Sequence, residues 1–166
     1  MAGVAVRLRR AEPADAERLW QWRNDPETRQ ASLDGQEIPF ERHLEWLEAQ
    51  LRSADVALYI IEGADRRPCG QVRLNRQQQG GALVSIGLAR EARGQGLGVA
   101  ALREILLAAH RPDWATPLYA VIRDANAASR RAFEAAGFTG PSAEAAAAVG
   151  PLEQGTGVWI ARPDSE

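Results

Sequence analysis

Between residues 85 and 99 the chain reads Ser85-Ile-Gly-Leu-Ala-Arg-Glu-Ala-Arg93-Gly94-Gln95-Gly96-Leu97-Gly98-Val99. An apolar run leads into glycines at alternate positions, and a helical pattern begins at once. Glycine lets backbone N–H groups approach a ligand with no Cβ in the way. A helix N-terminus adds unpaired amides and the positive end of a dipole. Together these suit a pyrophosphate, with Arg93 as an additional charge. The loop is not a Walker A sequence, because no Lys-Ser or Lys-Thr follows the glycines. It is also a poor dinucleotide fingerprint: the last glycine gap is too short, and the loop lies mid-chain. Taken alone, a tight β–α turn without a ligand accounts for it equally well.

A second group of residues suits recognition. Trp22-Arg23-Asn24-Asp25-Pro26 is followed by Ser32, and His43, Trp46 and Gln50 fall on one helical row. Aromatic faces with an arginine fork suit a nucleotide base and its phosphates, or a sugar. The plain alternative is that Trp20, Trp22 and Trp46 are core or rim aromatics, and for Trp20 packing is the preferred reading. Ser85, Glu62 and His43 are candidates for holding or moving a proton. Each also has an ordinary explanation, as a bulge serine, a solvated strand end and an exposed helix residue. Cys69 lies at a strand start with no histidine near it in sequence, which reads as packing.

The elements that must position these residues follow from periodicity. Val4 to Leu8 alternates like a strand. Glu12-Pro13 opens a helix carrying Ala16, Leu19 and Trp20, and Asn24-Asp25-Pro26 ends it. Ile38-Pro39 opens a second helix with a Leu44, Leu47, Leu51 stripe. Val56–Ile61, Gln71–Leu74 and Ala82–Leu88 read as an antiparallel meander. A third helix from Leu97 carries Leu102, Ile105, Leu106 and Ala109 on one face. Leu118–Ile122 is a strand, Asn126 caps a fourth helix that stops at Gly137, and Gly157–Ala161 is the last strand. Ala143–Val149 is read as a connection, either a short helix or a loop. The predicted fold class is a mixed α/β (α+β) domain, a largely antiparallel sheet flanked by four helices in the order β-α-α-β-β-β-α-β-α-β.

Length and composition fit one domain, residues 1–166. The net charge of −2 gives no electrostatic case for nucleic acid or an anionic membrane. The twenty basic residues are all arginine, which reads as codon bias. One cysteine excludes an intrachain disulfide and suits a reducing compartment. The first ten residues lack the apolar core of a secretory signal, and no run approaches a membrane span. A cytoplasmic protein is expected, monomeric or homodimeric, with no metal.

Arg93-Gly94-Gln95-Gly96-Leu97-Gly98 resembles the acetyl-CoA motif of GNAT N-acetyltransferases. Asn126-Ala-Ala-Ser129-Arg-Arg-Ala-Phe133-Glu-Ala-Ala-Gly137-Phe138 is similar to that family's downstream signature, at the separation the fold requires. The resemblance covers essentially the whole chain. It implies that backbone from Arg93 through Gly94, Gln95, Gly96, Leu97 and Gly98 to Val99 holds the pyrophosphate of acetyl-CoA. It further implies that Ile86–Ala89 splays from the neighbouring strand to admit the pantetheine arm, bonded near Leu88. Asn126, Ser129 and Phe133 would contact the cofactor at the second signature. Phe133 occupies the place where relatives often carry a tyrosine acid, so that acid is missing. No carboxylate stands where some relatives carry a base glutamate. The Trp-Arg-Asn-Asp-Pro run, His43 with Trp46-Leu47, and Leu58–Glu62 resemble the pseudaminic-acid-pathway acetyltransferases. That implies a small-molecule amine acceptor, a UDP-linked amino sugar, bound by Trp22, Arg23, His43 and Trp46. Rim-type acetyltransferases of protein N-termini share part of the pattern, and a non-catalytic acetyl-CoA-binding module is the alternative of another class.

Overall fold

A computed structural model describes residues 3–31 and 34–162; Ser32 lies outside the described residues. Six strands form one sheet: β1 (Arg7–Arg10), β2 (Val56–Glu62), β3 (Pro68–Arg76), β4 (Ala82–Leu88), β5 (Leu118–Arg123) and β6 (Thr156–Ala161). They lie side by side in chain order. Every neighbouring pair is antiparallel except β4 and β5, which run parallel. The helices are α1 (Ala16–Asn24), α2 (Pro26–Ala31), α3 (Phe40–Arg52), α4 (Leu97–Leu106), α5 (Ala127–Ala136) and α6 (Ala143–Val149).

Strand alternation sorts side chains onto two faces. On the first face Ala57, Ile61, Val72, Leu74, Val84 and Leu118 pack against Ala101, Leu102 and Ile105 of α4 and Phe133 and Ala136 of α5. On the second face α1 and α3 cover Leu58 and Ile60 of β2. At the far end α6 covers Val158 and Ile160 of β6 and Tyr119 of β5. The strip between them, on β3 and β4, keeps its second-face residues half-exposed: Gln71, Arg73, Asn75 and Ser85. That strip is a polar trough floor walled by helices over its neighbouring strands.

Several expectations change. The first strand is Arg7–Arg10 and not Val4–Leu8, because its register puts Leu8 opposite Ile61 and Arg9 opposite Ile60. Asp25-Pro26 ends α1 and also starts α2, with the Asp25 carboxylate accepting from the Thr28 amide at 3.2 Å. Ala143–Val149 is a helix, capped by Ser142 Oγ on the Ala145 amide at 3.1 Å. There are therefore six α-helices among the described residues and not four, besides short 3-10 turns. On α3 the buried row runs through His43 and Leu47, while Leu44 is exposed. Of the expected stripe, Leu47 is buried and Leu51 packs against the same cluster, while the place expected for Leu44 is taken by His43.

Candidate active site

The parallel β4–β5 pair is bonded only at its start, where Ala82 meets Leu118 and Leu83 meets Tyr119. From Val84 to Leu88 strand β4 has no partner on that side. The strands diverge into a slot whose β4 edge keeps its N–H and C=O groups unpaired by β5, the kind of edge that takes an extended ligand arm by strand-like bonding. Ile86 and Leu88 border this slot and are half-exposed, while Ala89 just beyond is buried.

The glycine loop stands at the same end. Gly94 and Gly96 adopt left-handed backbone conformations, φ +74° and +78°. A Cβ at Gly94 would meet nothing within 4 Å, which leaves open space over the loop. Gly98 serves packing: its Cβ position lies 3.5 Å from Leu88 Cδ1, which seats α4 on β4. Gly96 is the N-cap of α4, no side chain caps that end, and its first turn holds no acidic residue. The first amide bonded back into the helix is that of Ala100, to Gly96. The amides of Leu97, Gly98 and Val99 are thus free for an anion. This cradle fits the pyrophosphate of acetyl-CoA.

Arg93 departs from expectation. Its guanidinium donates to Glu27 at 2.6 Å, Thr28 Oγ1 at 2.9 Å and Asp25 at 3.2 Å. Arg90 also bonds Asp25, at 3.2 Å. The arginine charge is therefore offset locally, and it ties the α1–α2 elbow to the cradle. Gln95 donates to the Glu91 carbonyl at 2.8 Å and lies on the surface. Asn126 caps α5 by accepting from the Ser129 amide at 3.1 Å. Phe133 is buried in the core, edge-on to Phe138 at 5.0 Å between ring centroids.

The residues expected at the acceptor divide. Trp20 donates to the Ile38 carbonyl at 2.7 Å and packs on Phe40, a structural role. Asn24 clamps both backbone groups of Ile38 at 2.9 Å. Trp22 packs toward Leu19 and Leu58 on one side and Ala89 and Leu97 on the other, between helix and cradle. Much of the Trp-Arg-Asn-Asp-Pro run is thus devoted to holding the elbow. Trp46 remains exposed, 5.4 Å from the His43 ring and 5.4 Å above the Arg73 guanidinium. Arg23 is close enough for its charge to act on both His43 and Arg73. Arg73 was not singled out in the sequence, where it reads as one more outward residue of an alternating strand. Its register partner is Ser85, so Arg73, Ser85, Trp46 and Arg23 share the trough.

His43 is buried, and its Nε2 has no hydrogen-bond partner. Burial holds its pKa below 6.5, Arg23 adds to the depression, and the Ala16 backbone opposes it. The imidazole is therefore neutral at pH 7. Glu62 is also buried, but it accepts from Arg9 Nε at 2.8 Å, and Arg9 forks onto both oxygens of Asp15 at 2.8 and 2.9 Å. Burial alone would raise the Asp15 pKa, and the Arg9 bonds with the Glu12 amide hold it below 3.8. Glu62 thus belongs to a tie between β1, β2 and the start of α1. The Cys69 thiol donates weakly to the Ile61 carbonyl at 3.4 Å, and burial pushes its pKa up, the opposite of an activated nucleophile. Among the described residues no group of His, Cys, Asp and Glu could hold a metal, and no helix is long and apolar enough to cross a membrane.

A splayed parallel pair, an uncapped helix end behind a glycine cradle and a trough on the adjoining face define an acyl-CoA-type transferase. The match to the family model of the acetyltransferase (GNAT) domain spans residues 5–139. The chain belongs to the GNAT acetyltransferase family, and with that membership comes acetyl-CoA as the donor. No curated protein matches the sequence. Among solved structures it is similar to spermidine N-acetyltransferase from Vibrio cholerae with CoA and spermine, at 17% identity and TM-score 0.73, covering 93% of this chain and 92% of that one. It is also similar to a domain from Methanocaldococcus jannaschii, at 17% identity and TM-score 0.78, covering 96% and 99%. A third is AAC(6')-Ib with paromomycin and acetyl-CoA, at 17% identity and TM-score 0.72, covering 94% and 92%. At these identities the likeness is one of fold.

Proposed function

We propose that this protein transfers the acetyl group of acetyl-CoA to the primary amine of a small molecule in a ternary complex, and that the acceptor is a UDP-linked amino-deoxy sugar. The observation that carries the reading is the slot between β4 and β5 opening beside the cradle, with the trough across β4 from it. When bound, acetyl-CoA supplies an activated thioester. The free amides of α4 hold its pyrophosphate, and the unpaired edge of β4 aligns its arm. The Ser85 hydroxyl, on the trough floor, orients the incoming amine. A primary amine has a pKa of about 10, so it must shed a proton before attack. The nitrogen bonds to the acyl carbon, the C–S bond breaks, and the released proton ends on the departing sulfur. His43, neutral with an unpartnered Nε2, is proposed to take part in proton handling, and Glu62 is assigned to the Arg9 tie. Good alignment supplies much of the rate and leaves few chemical roles to fill.

The sugar reading is supported by Trp46, which offers a stacking face, and by Arg23, a fork at the end of α1. The test is acetyl-CoA turnover with UDP-amino sugars, free amino sugars and Ser- or Ala-initiated peptides. Arg23→Ala should lower kcat/KM for the UDP-linked acceptor about ten- to a hundredfold and much less for the free sugar, since a charge-assisted contact is worth roughly 1.5–3 kcal/mol. An equal loss on both would refute the nucleotide assignment.

A further inference from the structure

Two residues of the trough floor hold a buried polar atom without a hydrogen-bond partner, Asn75 through its Oδ1 and Arg73, and of the two Arg73 carries a charge. Its Nε is buried without a hydrogen-bond partner, and no carboxylate among the described residues pairs with it. Arg9, Arg90 and Arg93, by contrast, each hold carboxylates. Trp46 covers the Arg73 guanidinium at 5.4 Å. Arg73 is half-exposed, but its Nε is shut off from water, and that part of the guanidinium's desolvation is uncompensated until a counter-charge arrives. Burial and the nearby charge of Arg23 both push the Arg73 pKa down, so a second cation worsens its position until an anion arrives. Position then says what kind of anion. Arg73 stands directly opposite Ser85, and Ser85 is the second residue after β4 loses its β5 partner at Leu83. Directly opposed residues have Cβ atoms about 5 Å apart, so the arginine rises beside the place where the slot meets the trough.

We propose that Arg73 is a specificity-determining residue that binds an oxyanion, carboxylate or phosphate, carried by the acceptor within a few bonds of its amine. The planar fork takes such a group with two parallel hydrogen bonds, and the Trp46 ring fixes the plane of that fork. An amino-acid carboxylate lies two bonds from its amine, and a sugar phosphate lies across one ring from it. Both fit this separation. Polycations do not: spermine, the ligand in the Vibrio cholerae relative, would bring positive charge against Arg73 and Arg23 together. The inference rests on the acetyltransferase reading for its location, but not for its test.

The experiment uses the full chain saturated with CoA, so that the cradle is occupied. Inorganic phosphate, glucosamine 6-phosphate, glutamate and UDP are titrated into it by calorimetry, beside spermidine. At least one anion is expected to bind, and spermidine is not. Preference for glutamate or for the phosphates distinguishes the two sources of oxyanion. Arg73→Gln should weaken the anion about ten- to a hundredfold, the loss of a charge-assisted contact. Arg73→Lys, which keeps the charge without the fork, should fall between them and guards against misfolding of the first variant. Arg73→Glu should admit spermidine. Failure of every anion to bind the CoA complex, or anion binding indifferent to all three substitutions, overturns the proposal. Arg73-dependent binding without acetylation of any amine would instead overturn the enzymatic reading and leave the anion site standing.

Discussion

Replacement of Gly96 by valine separates the cradle from the rest of the fold. Gly96 has φ +78° and is the N-cap of α4. A side chain in that conformation costs about 1–2 kcal/mol, and a β-branched one is a worse case. The Cβ itself would approach Val4 Cγ2 at 3.4 Å, a tight contact with one side-chain methyl, so the steric part is small. In a chain of this size each kcal/mol is worth roughly 2–4 °C of melting temperature, and a fall of about 4–8 °C is expected. If the backbone relieves the strain by leaving the left-handed region, the free amides of Leu97, Gly98 and Val99 turn with it. Loss of two charge-assisted bonds at roughly 1.5–3 kcal/mol each should weaken acetyl-CoA at least a hundredfold. Gly98→Ala is the comparison. Its Cβ meets Leu88 Cδ1 at an ordinary 3.5 Å, and alanine favours the helix by about 0.5–1 kcal/mol, so affinity should stay within about threefold. Thermal unfolding and calorimetric titration of both variants supply the numbers. A folded Gly96→Val protein that binds acetyl-CoA as the unmodified chain does would remove the cradle from the cofactor site.

Two further perturbations address the ionisable groups. His43 has a folded pKa below 6.5, so below that pH the unfolded chain binds more protons, and the stability contribution present above about pH 6.5 is lost as pH falls. Thermal unfolding from pH 7.5 to 5.5 should show a decline that is shallower in His43→Gln; identical slopes would deny that the imidazole is held neutral. Arg9→Leu leaves the buried carboxylates of Asp15 and Glu62 without their shared partner, which costs about 3–5 kcal/mol. The melting temperature should drop by about 10 °C, and denaturant unfolding showing a loss under about 1 kcal/mol would contradict the role of the tie.

The cradle was legible in the sequence because its causes are local. Left-handed turns select glycine, a helix end leaves its own amides free, and Asn126 and Gly137 start and stop α5 within their own neighbourhoods. The antiparallel meander of β2, β3 and β4 was legible for the same reason, through alternation and turn residues. The role of Arg93 was not, because its partners Asp25, Glu27 and Thr28 lie more than sixty residues away, and sequence spacing says nothing about which carboxylate reaches an arginine first. The α3 stripe held at Leu47 and Leu51 and missed at one position on a similar point. Composition favours Leu44, but the packing against α1 buries His43.

By itself, then, the order of residues determined the local devices: the glycine turns, the helix caps and the alternation that gives each strand two faces. Only the tertiary structure decided what those faces look at. The second face of β3 and β4 became a trough because α3 and α6 cover the strands on either side of it. Arg73 acquired its meaning from a register that sets it opposite Ser85 and from a tryptophan on a helix that precedes it in the chain. A half-exposed arginine on an alternating strand is ordinary in sequence, because its counter-charges are free to come from anywhere in the fold. That none of the described carboxylates reaches it is a property of the packed molecule, fixed by long-range contacts that residue spacing does not encode.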